Sequence, residues 1–376
     1  MAQVEFWQGN KAIAMGAIAA GCRFYGGYPI TPSTEIMETM SEELPKLGGK
    51  FVQMEDEIGG IASAIGASIA GKKAMTGSSG PGIALKQELL GYAYMAEVPI
   101  VVANVQRGGP STGLPTKISQ ADIMQARWGC NGDHGTICYL PCSIPECYSL
   151  TIKAFNMAER FRQPVLVLAD EVLGHMREKI VIPEPGSFEV VNRKKPTVSP
   201  DEYVPYRADA DDVPPMAAFG DGYRWHVTGL TSTEWGFPTN DAPDIDLKAN
   251  RIIRKVNRCR DELVEYKEFM MDDAEICVIS FGSVSRSSLR AIKELREEGI
   301  KVGHFRPVTM WPFPDKEIAE LSKRVKHIIV PEINAGQMVL EVERAVKGKC
   351  EIHPHSLLNG ELYKPAEIAS FIKEVA

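Results

Sequence analysis

The chain of 376 residues is 44% hydrophobic and 24% charged, which is typical of a soluble globular protein long enough for two or three domains. Its formal net charge of -7 argues against a nucleic-acid partner, because no basic surface is available for sequence-independent phosphate binding. No apolar stretch approaches the ~18 residues of a membrane span, and the first ten residues lack the pattern of a secretion signal. We therefore predict a cytoplasmic protein with no membrane partner.

The first half of the chain alternates short β-branched runs with longer helical patterns, which predicts a parallel sheet covered by helices on both faces. Thr31 is expected to cap a helix whose first residue is Pro32, and the apolar stripe that starts at Ile58 is expected to end at Gly71. Strands are expected at Phe24–Tyr28 and in the runs FVQM, KAMTG, PIVVANV and PVLVLAD. We therefore predict a first α/β domain over residues 1–178.

The next stretch, residues 179–248, mixes proline, glycine, aspartate and aromatic residues without helix or strand periodicity. Because so long an irregular stretch is uncommon inside a compact domain, we expect a connection that packs on both of its neighbours. A helix is expected from Ala249 to Met270, and strands alternate with helices again beyond it. Residues 249–376 are therefore predicted to form a second doubly wound α/β domain.

Several familiar patterns are present in forms that argue against the chemistry they usually indicate. GASIAGKK lacks the hydroxyl residue of a P-loop and lies at the end of a predicted helix, and no GxGxxG motif follows a strand. The three cysteines of ICYLPCSIPEC straddle a strand end and a helix start, so that cluster ligands would point apart. His353 and His355 share a strand face without a third ligand nearby, which favours a solvated pair. We predict no metal site on this chain.

Four segments of the first domain carry side chains that could form one site, because the carboxyl ends of parallel strands meet at one edge of a sheet. They contribute the hydroxyl of Thr31, the carboxylate of Glu57, the small-residue loop TGSSGPG and the guanidinium of Arg107. Each also has an ordinary structural explanation, namely a helix N-cap, a charge on a helix dipole, a tight turn and an exposed loop arginine. The local pattern alone leaves both explanations open.

The order of these motifs resembles that of a known family. YPITPSTE, QMEDEIGG, MTGSSGPG and VQRGGPSTGLPT resemble the pyrimidine-binding domain of thiamine diphosphate enzymes, and specifically the alpha subunit of 2-oxoacid:ferredoxin oxidoreductases. RWHVTGL, FRPVTMWPFP and VPEINAGQM extend the resemblance to a second domain similar to the C-terminal domain of transketolases. The MEDE and GPSTGLPT forms are similar to those of the 2-oxoglutarate enzymes, so the resemblance implies oxidative decarboxylation of 2-oxoglutarate with coenzyme A to succinyl-CoA and CO2.

The resemblance also implies which residues contact the cofactor. Glu57 matches the glutamate that hydrogen-bonds the aminopyrimidine nitrogen opposite the amino group, where it shares a proton with the ring and favours its imino form. Ser78, Ser79 and Gly80 would line the ring site through backbone and hydroxyl groups. The same likeness therefore gives Glu57 a catalytic role and the small-residue loop a binding role.

A second group of residues is implied to hold the substrate. Arg107 and Thr31 match residues that orient the 1-carboxylate of the 2-oxoacid for cleavage. Thr116 is expected in the same pocket. The hydroxyl-rich run STGLPT, with Lys117 just beyond it, is the local candidate for binding the distal carboxylate that distinguishes 2-oxoglutarate.

The chain carries no cluster ligands and no diphosphate-metal motif of the GDG-then-Asn kind, so the resemblance implies only half of an active site. A beta subunit would hold the diphosphate, its Mg²⁺ and a [4Fe-4S] cluster, and ferredoxin would accept the electrons. A gamma subunit and a ferredoxin-like delta subunit are also implied. Because the short N-terminus leads directly into EFWQGNKAI, we expect the gamma domain on a separate chain.

Three alternatives remain beside this interpretation. Within the family, a branched-chain 2-oxoacid or pyruvate specificity is the nearest rival. A self-contained enzyme of the transketolase type would need a diphosphate domain for which this layout leaves no room. A catalytically idle scaffold subunit could have lost Glu57, Arg107 and Thr31, all of which are present.

Overall fold

The computed structural model describes residues 3–184 and 186–376, so the first two residues of the predicted first domain lie outside the described part. The strands are β1 Gln3–Gln8, β2 Cys22–Gly27, β3 Lys50–Gln53, β4 Lys73–Ser78, β5 Val101–Gly108, β6 Leu114–Ile118, β7 Cys138–Tyr139, β8 Val165–Asp170, β9 Arg177–Ile182, β10 Tyr266–Phe269, β11 Ile276–Ile279, β12 Val302–Pro307, β13 Thr309–Trp311, β14 His327–Glu332 and β15 Glu351–Ser356. The helices are α1 Gly9–Ala19, α2 Thr34–Glu43, α3 Glu57–Ile69, α4 Pro81–Leu85, α5 Gln87–Met95, α6 Ile123–Trp128, α7 Ile144–Phe161, α8 Glu171–His175, α9 Ala242–Asn257, α10 Arg260–Leu263, α11 Gly282–Glu297, α12 Asp315–Leu321, α13 Met338–Val346 and α14 Pro365–Val375.

The larger sheet has the strand order β13-β7-β8-β5-β4-β2-β3, with β6 paired to β5. Strands β7, β8, β5, β4, β2 and β3 run parallel to their neighbours, so their carboxyl ends lie along one edge. Every residue of β4, β5 and β8 is buried, as expected for strands covered on both faces. The predicted α/β fold of this half is confirmed.

The second sheet has the order β10-β12-β11-β14-β15 and is parallel except for the edge strand β10. Its core contains apolar residues of the central strands and of α11 and α14, which pack on one face. The predicted second α/β unit is therefore present. The helix that was expected from Ala249 to Met270 is wrong in extent, because α9 begins at Ala242 and β10 occupies the last part of that range.

The two units share a sheet. Strand β13 follows the second unit's β12 along the chain, yet it pairs antiparallel with β7 of the larger sheet, with Thr309 opposite Tyr139. At the other end of the first unit, β9 pairs along its whole length with β1, so regular pairing continues past residue 178. The predicted domain boundaries, which no independent finding tests, stay a prediction.

The segment between β9 and α9 has no helix or strand in its described residues beyond an isolated bridge. Side chains of the flanking helices hold it in place. The fully buried Arg162 donates to the carbonyls of Pro205 and Pro214 at 3.2 and 3.1 Å, and Lys248 Nζ donates to Ser232 Oγ at 2.7 Å. These contacts hold the segment against the first unit and against α9, and the expected packing on both neighbours stays a prediction.

A buried ion cluster joins α9 to the first unit. Glu97 is fully buried, and its carboxylate accepts hydrogen bonds from Arg251 Nη1 at 2.9 Å and from Lys255 Nζ at 3.0 Å. Burial alone would raise the pKa of Glu97, but the charges of Arg251 and Lys255 outweigh it and hold the pKa well below its usual range. The carboxylate is therefore charged at neutral pH and compensates two buried cations.

Among the described residues, no helix is both long and apolar enough to cross a membrane.

Candidate active site

The four segments singled out in the sequence lie at the carboxyl ends of adjacent strands. The order β5-β4-β2-β3 places the arginine loop, the small-residue loop, the Thr-Pro loop and the start of α3 next to one another. This is the edge at which parallel α/β sheets bind ligands. The strand order that the sequence could only suggest therefore places the predicted residues at one edge.

Glu57 is the first residue of α3 and is buried, with 6% of its surface exposed. The helix begins here because the side chain of Asp56 caps it, accepting a hydrogen bond from the backbone N–H of Gly59 at 2.7 Å. A β-carbon placed on Gly82 would lie 2.5 Å from Glu57 Oε1 and 2.2 Å from Ser78 Oγ. Since only glycine fits there, Gly82 allows the carboxylate and the hydroxyl to approach each other.

Ser78 and Ser79 are both fully buried, and neither hydroxyl has a hydrogen-bond partner among the described residues. Gly80 follows with a φ of 46°, a backbone conformation that side chains rarely adopt. Buried hydroxyls without partners are costly unless a ligand or water satisfies them. Together with the carboxylate of Glu57, they provide the donors and acceptors that a flat polar ring requires.

Arg107 is the penultimate residue of β5 and is buried, which rules out the exposed loop arginine considered from the sequence. Its Nη1 donates to the carbonyl of Thr31 at 2.7 Å and its Nη2 to the carbonyl of Thr112 at 2.9 Å, while its Nε has no partner among the described residues. Burial lowers the pKa of Arg107, an effect opposed by the nearby charge of Glu57. The guanidinium has N–H groups left for an anion.

Thr31 does not cap a helix, contrary to the sequence prediction. Helix α2 begins three residues later, at Thr34, with Ser33 at the N-cap position. Asn10 Nδ2 donates to the carbonyl of Pro32 at 2.6 Å, which holds these residues as a turn before the helix. Thr31 therefore contributes its carbonyl to Arg107 while its side chain is exposed, and the predicted anion site at a helix N-terminus is not formed by this residue.

Thr116 is not brought into contact with the other predicted residues. It lies on β6, which pairs antiparallel with β5 at Arg107, but it is exposed and its hydroxyl has no hydrogen-bond partner among the described residues. The neighbouring Lys117 forms an ion pair with Glu361 of the second unit. This ion pair is exposed, and the binding of a distal carboxylate by STGLPT with Lys117 just beyond it stays a prediction.

Lys86 is a residue of this site that the sequence interpretation missed. It is 2% exposed, and its Nζ donates to the backbone carbonyl of Glu57 at 3.0 Å and to Thr76 Oγ1 at 3.2 Å. Burial lowers the pKa of Lys86 to about 8, against the opposing charges of Glu57 and Asp56. The sequence signal for Lys86 was its position within the apolar run PGIALKQELL. A lysine in such a run is expected to be buried, and buried lysines are nearly always paired with a polar or charged group.

Comparison with known proteins places this arrangement in a family. Residues 15–251 match the family described as pyruvate flavodoxin/ferredoxin oxidoreductase, thiamine diphosphate-binding. Residues 274–368 match the pyruvate:ferredoxin oxidoreductase core domain II. The two matches together cover most of both α/β units and the whole segment between them.

Individual relatives agree with these matches. The 2-oxoglutarate synthase subunit KorA of Methanothermobacter thermautotrophicus is 48% identical to this chain over 99% of both chains. The ketoisovalerate oxidoreductase subunit VorB of the same organism is 35% identical, over 98% of this chain and 97% of its own length.

A solved structure agrees as well. It is the 2-oxoglutarate:ferredoxin oxidoreductase from Magnetococcus marinus with 2-oxoglutarate, coenzyme A and succinyl-CoA bound, which aligns with a TM-score of 0.92 at 36% identity. The alignment covers 99% of this chain and 65% of that longer one. The predicted family and fold are confirmed, and the chain belongs to the 2-oxoacid:ferredoxin oxidoreductase family.

Proposed function

We propose that the chain is the alpha subunit of a thiamine diphosphate-dependent 2-oxoglutarate:ferredoxin oxidoreductase. The assembled enzyme converts 2-oxoglutarate and coenzyme A reversibly to succinyl-CoA and CO2 and passes the two electrons to ferredoxin. The observation that carries this proposal is the buried group formed by Glu57, Ser78 and Arg107 around two glycines, Gly80 and Gly82. Glu57, Ser78, Gly80 and Arg107 are the positions for which the resemblance implies contact with the cofactor or substrate, and Gly82 makes room for two of them.

The buried polar groups fit the aminopyrimidine of the cofactor. Thiamine diphosphate supplies, when bound, the nucleophilic carbon and the electron sink for decarboxylation. Glu57 holds a proton at the ring nitrogen, and the protein excludes water from that carboxylate by burying it. Ser78 and Ser79 offer the hydroxyls that have no partner within the described chain, and Gly80 lets the backbone approach the ring.

Arg107 orients the 1-carboxylate of the substrate with the N–H groups that its two carbonyl contacts leave free. Those contacts fix the guanidinium between the Thr-Pro loop and the glycine loop before any substrate arrives, so less side-chain entropy is lost on binding. Thr31 supports this position through its carbonyl, and its exposed hydroxyl faces solvent from the same turn. Thr116 and the other exposed hydroxyls of GPSTGLPT are assigned to the distal end of the substrate.

The chain works as one subunit of a larger enzyme. A beta subunit binds the diphosphate with its Mg²⁺ and carries a [4Fe-4S] cluster, and gamma and ferredoxin-like delta subunits complete the assembly. This division is supported by the position of Glu57 and the unpartnered hydroxyls at one sheet edge, where a partner chain can close over the cofactor. The name of the Methanothermobacter relative, a synthase subunit, is consistent with it.

The substrate preference of the assembled enzyme tests the proposal. Closure of the partner subunit over the substrate would bury the hydroxyls of GPSTGLPT, which are exposed in this chain. A branched-chain acid would then leave them unpaired, at a cost of about 1 to 3 kcal/mol per buried group. We therefore expect kcat/KM for 2-oxoglutarate to exceed that for 2-oxoisovalerate and for pyruvate by about ten- to a hundredfold. The measurement is coenzyme A-dependent reduction of ferredoxin or viologen. A preference for either apolar acid would contradict the substrate assignment and leave the family unaffected.

Replacing Arg107 by methionine tests its role at the 1-carboxylate. Every 2-oxoacid has this carboxylate, so we expect kcat/KM to fall by roughly ten- to a hundredfold for 2-oxoglutarate and for pyruvate alike, as for the loss of a charged hydrogen bond. The control is Arg290→Met, which removes an exposed guanidinium paired with Glu294. A loss of kcat/KM confined to one substrate would assign Arg107 to the distal end of that substrate instead. An unchanged kcat/KM would mean that Arg107 serves only its structural contacts with Thr31 and Thr112.

A further inference from the structure

Two histidines and a glutamate meet at the amino-terminal ends of β14 and β15, away from the candidate active site. His327 begins β14 and is opposite Glu351 in the strand register, and His353 follows two residues later on β15. His327 Nδ1 lies 3.1 Å from His353 Nε2, and Glu351 Oε2 lies 3.3 Å from the first nitrogen and 3.8 Å from the second. The neighbouring strand β14 thus supplies His327 as a further ligand beside His353, which the sequence alone did not show.

These three distances match those between the ligands of a metal ion. Zinc bonds of about 2.0–2.1 Å in a tetrahedral arrangement separate neighbouring ligand atoms by about 3.3 Å. A proton shared between two of the three ligand atoms of His327, Glu351 and His353 leaves the third without a partner. A cation bound between them interacts with all three atoms. The side chains thus already have the spacing of a site, and the backbone need not move.

We propose that His327, Glu351 and His353 form a binding site for a divalent transition-metal ion of the zinc type. Two imidazoles and a carboxylate suit zinc and its neighbours in the transition series, while magnesium and calcium prefer oxygen ligands throughout. The imidazoles are 25% and 26% exposed and Glu351 is 73% exposed, so an ion can enter from solvent and keep a water at its fourth position.

The surrounding charges permit a cation here. Lys326, the residue before His327, forms an ion pair with Glu275, which compensates its positive charge. His355, two residues beyond His353, is outside the cluster because its ring stacks on Phe371 with centroids 4.2 Å apart. The site therefore uses one histidine of the HPH motif and leaves the other in a hydrophobic contact.

A metal at this position would link the edge strand β15 to β14. One ligand belongs to β14 and two belong to β15, which has no neighbour on its other side in the sheet. An ion that binds only the folded arrangement stabilises it by a free energy that grows with the logarithm of the ion concentration divided by the dissociation constant. The site is therefore structural in effect and separate from the decarboxylation chemistry.

Zinc titration of the full chain, treated with a chelator and dialysed beforehand, tests the proposal. We expect saturable binding of one Zn²⁺ per chain by calorimetry, a rise in the thermal midpoint, and visible absorption typical of tetrahedral coordination when Co²⁺ replaces Zn²⁺. His353→Gln and Glu351→Gln should each abolish these signals. Because Glu351 is largely exposed, its substitution leaves the fold intact and keeps the test valid if the histidine variant is unstable.

His355→Gln is the matched control, since it removes a histidine from the same strand without touching the cluster. It should bind zinc as the wild type does. Absence of saturable zinc binding by the wild-type chain would overturn the proposal. Equal binding by the wild type and His353→Gln would do so too, because the ion would then occupy other surface groups.

Discussion

Glu57→Gln is expected to lower the turnover of the assembled enzyme by roughly 10² to 10⁴, the range typical of removing a proton-transfer group. The amide has the same shape as the carboxylate and fits beside Ser78 and Gly82, so the fold should persist. It cannot hold the proton at the cofactor ring as the carboxylate does. Steady-state turnover with 2-oxoglutarate, together with the thermal midpoint of the variant, measures the two effects separately.

Glu88→Gln provides the control for this experiment. Glu88 is also a first-turn glutamate, in α5, but it is exposed and its side chain makes no hydrogen bond within the described part of the chain. It experiences the same type of helix dipole without any role at the site, so its substitution should leave turnover unchanged. If Glu57→Gln behaved like Glu88→Gln, Glu57 would be a helix-dipole residue and the proposed catalytic role would be wrong.

Glu97→Gln is expected to reduce the free energy of unfolding by roughly 3 to 5 kcal/mol, as for breaking a buried ion pair by removing one partner. Glutamine leaves Arg251 and Lys255 buried beside a neutral group, and both cations are almost inaccessible to solvent. Desolvation of these unpaired charges is the source of the cost. Denaturant unfolding of the purified chain, followed by circular dichroism, measures it as a shift of the transition midpoint.

The matched control removes a carboxylate from an exposed ion pair. Glu262 accepts from Arg160 Nη2 at 2.7 Å, but its side chain is 62% exposed, so Glu262→Gln should cost no more than about 1 kcal/mol. Equal effects of the two substitutions would mean that water reaches Glu97 and that the buried cluster does not hold α9 against the first unit.

Much of the fold could be predicted from the sequence because the buried strands are uniformly apolar and the helices have a regular stripe. The alternation of β4, β5 and β8 with helices marked a parallel sheet, and parallel strands bring their carboxyl ends to one edge. This reasoning placed Glu57 and Arg107 near each other. It could not show that Gly82 makes room for Glu57 and Ser78, because that contact depends on atoms from different elements.

The errors have physical causes of the same kind. Thr31 carries a good N-cap side chain, but the contact of Asn10 with Pro32 favours a turn and delays the helix to Thr34. The start of α9 at Ala242 was missed because its first turns are exposed and contain Pro243 and two aspartates, which resemble the irregular stretch before them. Local propensity indicated a structure in each case, and a tertiary contact or the lack of burial changed its limits.

The pairing of β13 with β7 has a consequence for how this protein can be divided. A chain that ended between the two α/β units would leave β7 as an open sheet edge, with unpaired N–H and C=O groups available to other chains. The second unit, cut free, would carry a three-residue strand with nothing to pair with. Gene fission or truncation at the apparent domain boundary therefore creates two fragments that each expose an unpaired strand and tend to aggregate. The two halves can be exchanged in evolution only if β13 stays with the larger sheet that contains β7.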